Sequence, residues 1–393
     1  MANKIYSRME NKNILLILDN IWKPVELDKM VGIPCGADRG RKKLLFTTRN
    51  VDVLERMGST NNFRMGFLND DEAWTLFTKM TGDVIQTREL YSLSNEVCKE
   101  CGGLPIVICT IAKALKNKSH PSDWKVALQE LRAPTPTKFT GFLEEEYTKI
   151  ALSYKYLRDE LKKLFLFSSL LENNTSISDL FKHVVCLDIL EGANLTMEEA
   201  RDRLDKLVRD LKDASLLLGE LKSKQFAMHD VVRVVAITIA YVDYHVFTTR
   251  NDVEREWKDR DKLKKCTKIS LLGNSPIISQ LWPNYFSFPN LEYFYITNMR
   301  KSSFKFPKDI FKVMPKLRVM NLVGLQQPSL LSSVVLLTSL QSLCLDYSEV
   351  KNFAIIRKLK TLKVLSLQNS IIKEFPIELG QLIQLRLLDL SEC

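Results

Sequence analysis

Asn13-Ile-Leu-Leu-Ile-Leu-Asp-Asn-Ile-Trp22 is the stretch from which the fold of this chain reads outward. Five consecutive apolar residues, Ile14 to Leu18, stand between polar Asn13 and Asp19. A run of that length predicts a strand buried on both faces, as in a parallel sheet flanked by helices. In open α/β sheets ligands sit outside the carboxyl ends of the strands, and an aspartate there can hold magnesium against nucleotide phosphates. Asp19 occupies that position. Apolar strands ending in Asp also occur in α/β proteins that bind no nucleotide, so the neighbouring segments decide.

A second apolar segment, Lys43-Leu-Leu-Phe-Thr-Thr-Arg49, predicts another buried strand that delivers Arg49 at the same end. A guanidinium there can read a terminal phosphate. Farther along come Cys101-Gly-Gly-Leu-Pro-Ile106 and Met228-His-Asp230. With these motifs in this order, the chain resembles the nucleotide-binding leucine-rich-repeat receptors of plants. These are intracellular disease-resistance proteins of the coiled-coil type, with an NB-ARC ATPase switch. The resemblance runs over almost the whole chain.

It implies an α/β multidomain fold in four parts. Residues 1–65 would be a partial P-loop-type nucleotide-binding domain, holding the Walker B and sensor strands. Residues 66–136 would form a helical subdomain with the Gly-Leu-Pro-Ile motif, and 137–250 a winged-helix subdomain with the Met-His-Asp motif. Residues 251–393 would be leucine-rich repeats. The resemblance further implies ADP or ATP with magnesium as cofactor. Asp19 would hold the metal, Arg49 would read a phosphate, and Pro105 would pack on the adenine. His229, with Asp230 beside it, would contact the β phosphate of ADP and hold the closed, resting state. A pathogen effector or guarded host protein would be recognised through the repeats, and full-length receptors are candidate oligomerisation partners.

Two departures from the family pattern stand out. No Gly-x-x-x-x-Gly-Lys-Ser/Thr loop occurs in the 393 residues, so the backbone N–H groups and lysine that hold β and γ phosphates are missing. Asn20 stands where the family usually carries an acid, and a carboxamide cannot accept a proton near neutral pH. ATP hydrolysis is expected to be weak or absent, and any metal on Asp19 weakly held. Only Met1 to Lys12 precede the first strand, so the chain is expected to be truncated at its amino end, without the family's signalling domain. In the family fold the P-loop strand is expected between the two strands found here. Without it they would either pair directly or present aggregation-prone edges.

Composition agrees with an ordinary globular protein: 45% hydrophobic and 26% charged residues, enough for two to four domains. The start lacks the apolar core of a signal peptide, and no apolar run reaches the ~18 residues of a membrane span. A cytoplasmic location is expected, with no integral membrane segment. The net charge of +10 is dispersed with alternating signs, as in Arg201-Asp-Arg-Leu-Asp-Lys-Leu-Val-Arg-Asp210, the pattern of a solvated helix face rather than a nucleic-acid footprint. Cys98-Lys-Glu-Cys101 has no second pair to complete a zinc site and is read as packing at a helix end.

From residue 70 the pattern is helical. Helices are expected over 71–80 with Asn69 or Asp70 as cap, then 90–99 and 106–115, with Gly102-Gly103 as a stop and Pro105 as a restart. Pro134 and Pro136 mark a linker. Helices follow over 147–157, 160–171, 177–190 and 197–211, then a hairpin with arms at 216–221 and 225–228, then a helix over 231–240. Such a wing can mark a DNA-binding module, but the expected recognition helix lacks an Arg/Lys row, which favours packing. His229 at a helix start can donate to a phosphate; the alternative is a polar cap in which Asp230 stabilises the helix and His229 is merely exposed.

From Cys266 the period changes. Leu-x-x-Leu-x-Leu segments begin at Cys266, Leu291, Leu317, Leu340, Leu362 and Leu385, 22 to 26 residues apart. That spacing is the signature of leucine-rich repeats, each giving one short strand on a concave face. The last segment reaches Cys393 without a polar cap, so the carboxyl end is also expected to be cut short. A protein-interaction scaffold that binds no nucleotide is the competing function.

Overall fold

The computed structural model describes residues 13–19, 21, 23–27, 42–48, 51–85, 88–131, 144–192, 195–219, 224–248, 259–272, 287–297, 310–324, 334–349, 356–372 and 377–393. Asn20, Arg49 and the expected linker at Pro134 and Pro136 lie outside them. Two compact units divide the chain, Met1–Gly66 and Phe67–Cys393.

In the first unit, strands β1 (Ile14–Leu18) and β2 (Lys42–Phe46) are parallel neighbours, with Leu16 opposite Leu44 and Leu18 opposite Phe46. They pair directly, the first of the two arrangements expected. Burial on both faces is not observed. Leu16, Leu18, Leu44 and Phe46 pack on a small core of Ile21, Leu27, Val53 and Met57, partly supplied by helix α1 (Val51–Arg56). Leu15, Ile17 and Leu45 point the other way and are 50–60% exposed. Side chains alternate across a strand, and among the described residues one face alone has a helical layer to cover it.

The second unit opens with four helices around one core: α2 (Asp70–Thr81), α3 (Arg88–Glu100), α4 (Pro105–Leu115) and α5 (Pro121–Leu131). Asn69 caps α2 in a reciprocal box, accepting from Glu72 N while Glu72 accepts from Asn69 N. Gly102 and Gly103 separate α3 from α4, both with positive φ. Helix α5 was not anticipated; Pro121 starts it and fully buried Trp124 anchors it. Cys98 and Cys101 are reduced and buried in this core, and burial pushes the Cys98 thiol up to about 11.

Next come α6 (Glu144–Lys155), α7 (Asp159–Ser168), β3 (Thr175–Ser176), α8 (Ile177–Val184), α9 (Met197–Asp213), β4 (Gln225–Phe226) and α10 (Asp230–Tyr244). Helix α8 stops at Val184, six residues short of the expected end. The expected hairpin is also different. Leu218 and Ala227 form one antiparallel bridge, but β4 pairs with β3, so the wing closes on a segment fifty residues earlier. A two-residue strand carries too little periodicity for its partner to be legible in sequence.

The remainder is a seven-stranded parallel sheet in strict chain order: β5 (Val246–Thr248), β6 (Lys268–Leu271), β7 (Tyr293–Ile296), β8 (Val319–Leu322), β9 (Ser342–Cys344), β10 (Val364–Ser366) and β11 (Leu387–Asp389). Each of the six leucine-rich segments carries one of these strands; β5, which precedes them, was not anticipated. One face of the sheet, including Ile269, Phe294, Met320, Leu343 and Leu365, belongs to a continuous core with the leucines of the connecting turns. The other face presents Tyr293, Tyr295, Val319 and Val364 to the helical core of α6–α10. The helices therefore cover the strand face from β7 to β10.

Candidate functional site

At the carboxyl ends of β1 and β2 the backbone is tightly cross-linked. Thr47 N donates to Leu18 O at 3.0 Å, and Ile21 N donates back to Thr47 O at 2.9 Å. Thr47 Oγ1 donates to Asp19 Oδ1 at 2.5 Å, and Thr48 Oγ1 to Ile21 O at 2.6 Å. Asp19 is exposed, with its carboxylate oriented by this threonine. The positioning role of Thr47 was not assigned from sequence, although it stands two residues before Arg49 in the quoted motif.

Pro105 is the first residue of α4, where its missing N–H costs no helical hydrogen bond. The preceding turn is set by Gly103, whose φ is +68° and whose carbonyl accepts from Leu68 N at 2.9 Å. A Cβ at Gly103 would lie 2.4 Å from Leu68 O, so this close approach requires glycine.

His229 is the N-cap of α10. Its Nδ1 accepts from Val231 N at 3.3 Å, which in the neutral ring leaves the proton on Nε2 as a donor. Asp230 lies in the first turn, where a carboxylate complements the helix dipole. The cap is held from below by Arg233, which is 1% exposed. Arg233 N donates to His229 O at 2.9 Å, and its guanidinium donates to Ser169 O at 3.0 Å and to Leu171 O and Asn173 Oδ1. Asn173 Oδ1 also accepts from Met228 N at 3.0 Å.

Asp19 belongs to the first unit, whereas Pro105, His229 and Asp230 belong to the second. Against magnesium, the first unit offers the exposed Asp19 carboxylate; against a nucleotide, the second offers Pro105 and the His229 ring, each at a helix start. No cluster of three or more metal-ligating side chains occurs among the described residues. A single carboxylate is a weak hold for magnesium, which takes several oxygen ligands.

A second constellation, absent from the sequence reading, joins α8 to the strand face. His183 is buried between two strands: Tyr293 Oη lies 2.9 Å from Nδ1, and Asn321 Nδ2 lies 3.1 Å from Nε2. The amide donates to Nε2, so Nδ1–H donates to the tyrosine and the imidazole is neutral. Burial pulls its pKa down to about 4. Neighbouring Lys182 reaches Asp389 Oδ2 at 2.6 Å, Asp179 Oδ1 at 3.0 Å and Ser366 Oγ at 3.2 Å. Burial opposes its charge, but the carboxylates outweigh that and raise its pKa. Asp346, facing the same ammonium, is raised by its own burial despite a hydrogen bond from Ser366.

Residues 1–86 match the family model of the NB-ARC domain. The chain is 30% identical, over its whole length, to the Arabidopsis thaliana disease resistance protein At4g27190. It is 30% identical over 85% of its length to the probable disease resistance protein At4g27220 from the same plant. The chain belongs to the NB-ARC disease-resistance proteins of plants. As an NB-ARC protein it joins an α/β parallel-strand motif to helices and a further parallel sheet. It spans 40% of the length of the first of these relatives and 36% of the second. No helix among the described residues is long and apolar enough to cross a membrane.

Proposed function

We propose that this chain contains the closing elements of a nucleotide-regulated defence receptor, with ADP favouring a state in which the helical module rests on the repeats. In this reading residues 66–136 and 137–250 are the helical and winged-helix subdomains, and 251–393 a leucine-rich-repeat solenoid. In the second unit Pro105 stacks on adenine and His229 contacts the β phosphate, while Asp19 and Arg49 keep the metal and phosphate roles that the family resemblance gives them.

The observation that carries the proposal is the seam of Lys182 and His183 on the sheet: a helix of the module that bears the Met-His-Asp motif is bonded to four successive strands. A nucleotide contact at His229 would then bias the same body that covers the strand face, coupling the two sites through one bistable packing. An effector or host protein would engage the repeats and release that packing. Hydrolysis is no part of the proposal, since Asn20 offers no base.

Asp230→Val tests it. The substitution removes the first-turn carboxylate beside His229 and should loosen the closed state. Joined to a family signalling domain and expressed in leaves, the variant should trigger cell death while the unsubstituted fusion stays silent. Equal responses from both fusions would contradict the proposal. The competing scaffold reading gains support if nucleotide has no effect on the chain.

A further inference from the structure

Beside the seam, a cavity of about 170 Å³ opens between α7, the end of α10 and strands β5 and β6. Leu166, Leu170, Ile189, Ala240 and Val246 line it, each more than nine-tenths buried. Four charged side chains border this apolar wall: Lys163, Asp188, Lys268 and Glu292. Asp188 is already engaged, accepting from Arg318 Nη1 at 2.7 Å and Nη2 at 3.1 Å. Lys268 differs. Its ammonium forms neither an ion pair nor a hydrogen bond among the described residues, and burial holds its pKa below the ordinary lysine value even with Glu292 nearby.

An apolar void of this size accepts a guest of benzene dimensions more readily than ordered water, which needs several polar partners. A buried ammonium to which neither neighbouring carboxylate is hydrogen-bonded, at the edge of such a void, selects an anionic head on an apolar body. The carboxylates of Asp188 and Glu292 at the same mouth disfavour a doubly charged phosphate. We propose that this cavity is a binding site for a small apolar monocarboxylate, its ring or chain of roughly six to eight carbons among the leucines and its carboxylate on Lys268. The ligand bridges the helical module and the first strands of the sheet, so it stabilises their junction. Nothing in this inference depends on nucleotide binding.

Calorimetric titration of the full chain with benzoate and hexanoate, and with benzyl alcohol and 1-hexanol as neutral counterparts, tests it. Both acids should bind saturably, about tenfold or more tighter than the matching alcohols, as expected of a charge-assisted hydrogen bond. They should also raise the melting temperature by mass action. Lys268→Met should bring the acids down to the level of the alcohols and leave the alcohols unchanged. Ala240→Leu, which fills the cavity, should weaken all four, with the far-ultraviolet spectrum reporting retained fold. Absence of saturable acid binding, equal affinity of acid and alcohol, or acid binding that survives in Lys268→Met would each overturn the proposal. So would displacement of benzoate by ADP, which would place the anion elsewhere.

Discussion

The Lys182 ammonium lies 2.6 Å from the Asp389 carboxylate, joining helix α8 to the last strand of the parallel sheet, 207 residues away in sequence. The lysine side chain is 5% exposed and that of the aspartate 19%. A pair this enclosed is costly to break from one side, because the remaining charge keeps its desolvation penalty. Lys182→Met should therefore destabilise the second unit by about 3–5 kcal/mol. Asp389→Asn should cost less, since Asp179 still faces the ammonium at 3.0 Å. Urea unfolding of both single variants and the double variant should show coupling above about 1 kcal/mol; strict additivity would contradict the pairing.

Acid should weaken the same seam in two stages. His183, pulled by burial to about 4 from an ordinary 6.5, binds its proton more readily in the unfolded chain. Stability is therefore full above pH 6.5 and falls as pH drops toward 4, by about 3 kcal/mol in all. Asp389, held down to about 2 by Lys182 and Ser391 against the effect of burial, adds a further loss of about 2 kcal/mol between pH 4 and 2. Asp346, raised by burial, takes up its proton in the folded chain above the ordinary carboxyl value and so offsets part of the first stage. Thermal melts across pH should show both stages. His183→Gln should flatten the upper one and leave the lower one; an unchanged upper stage would mean that His183 is not its source.

Gly103 should tolerate no side chain. Its φ of +68° already strains an L residue, and a Cβ would meet the Leu68 carbonyl at 2.4 Å. Gly103→Ala should cost about 1–3 kcal/mol for the backbone alone, with additional loss from the steric shift. The turn that presents Pro105 would move with it. Retention of full stability, measured by denaturant midpoint, would show that the close approach to the Leu68 backbone is dispensable.

What the sequence conveyed depends on the range of the interaction. Pro105 at a helix start and the Asn69 cap are local chemistry, legible within four residues. Six strands of the parallel sheet were legible because Leu-x-x-Leu-x-Leu recurs at near-constant spacing. Strand β5 was not, since Val246-Phe-Thr248 belongs to no repeat and becomes a strand by pairing with β6. The expected hairpin arms meet at Leu218 and Ala227, but the further partner of β4, residues 175–176, was not foreseen. The seam was illegible for the same reason at longer range: Lys182 and His183 look like ordinary helix residues until the sheet closes over them. Among the candidate nucleotide residues, the sequence left open whether His229 meets a phosphate or is merely exposed beside a stabilising Asp230, and its side-chain cap was not foreseen. The hydrogen bond from Val231 N to Nδ1 makes His229 itself the cap.

Titration of the purified full chain with fluorescent ADP and magnesium, beside a His229→Ala, Pro105→Ala double variant, tests the central claim most directly. The account predicts micromolar binding by the unsubstituted chain and at least about a tenfold loss in the variant, the scale expected when a charge-assisted phosphate contact and an apolar platform are removed together. Absence of binding, or equal binding by both proteins, would contradict it and leave a scaffold whose function rests on the parallel sheet and the helices that cover it.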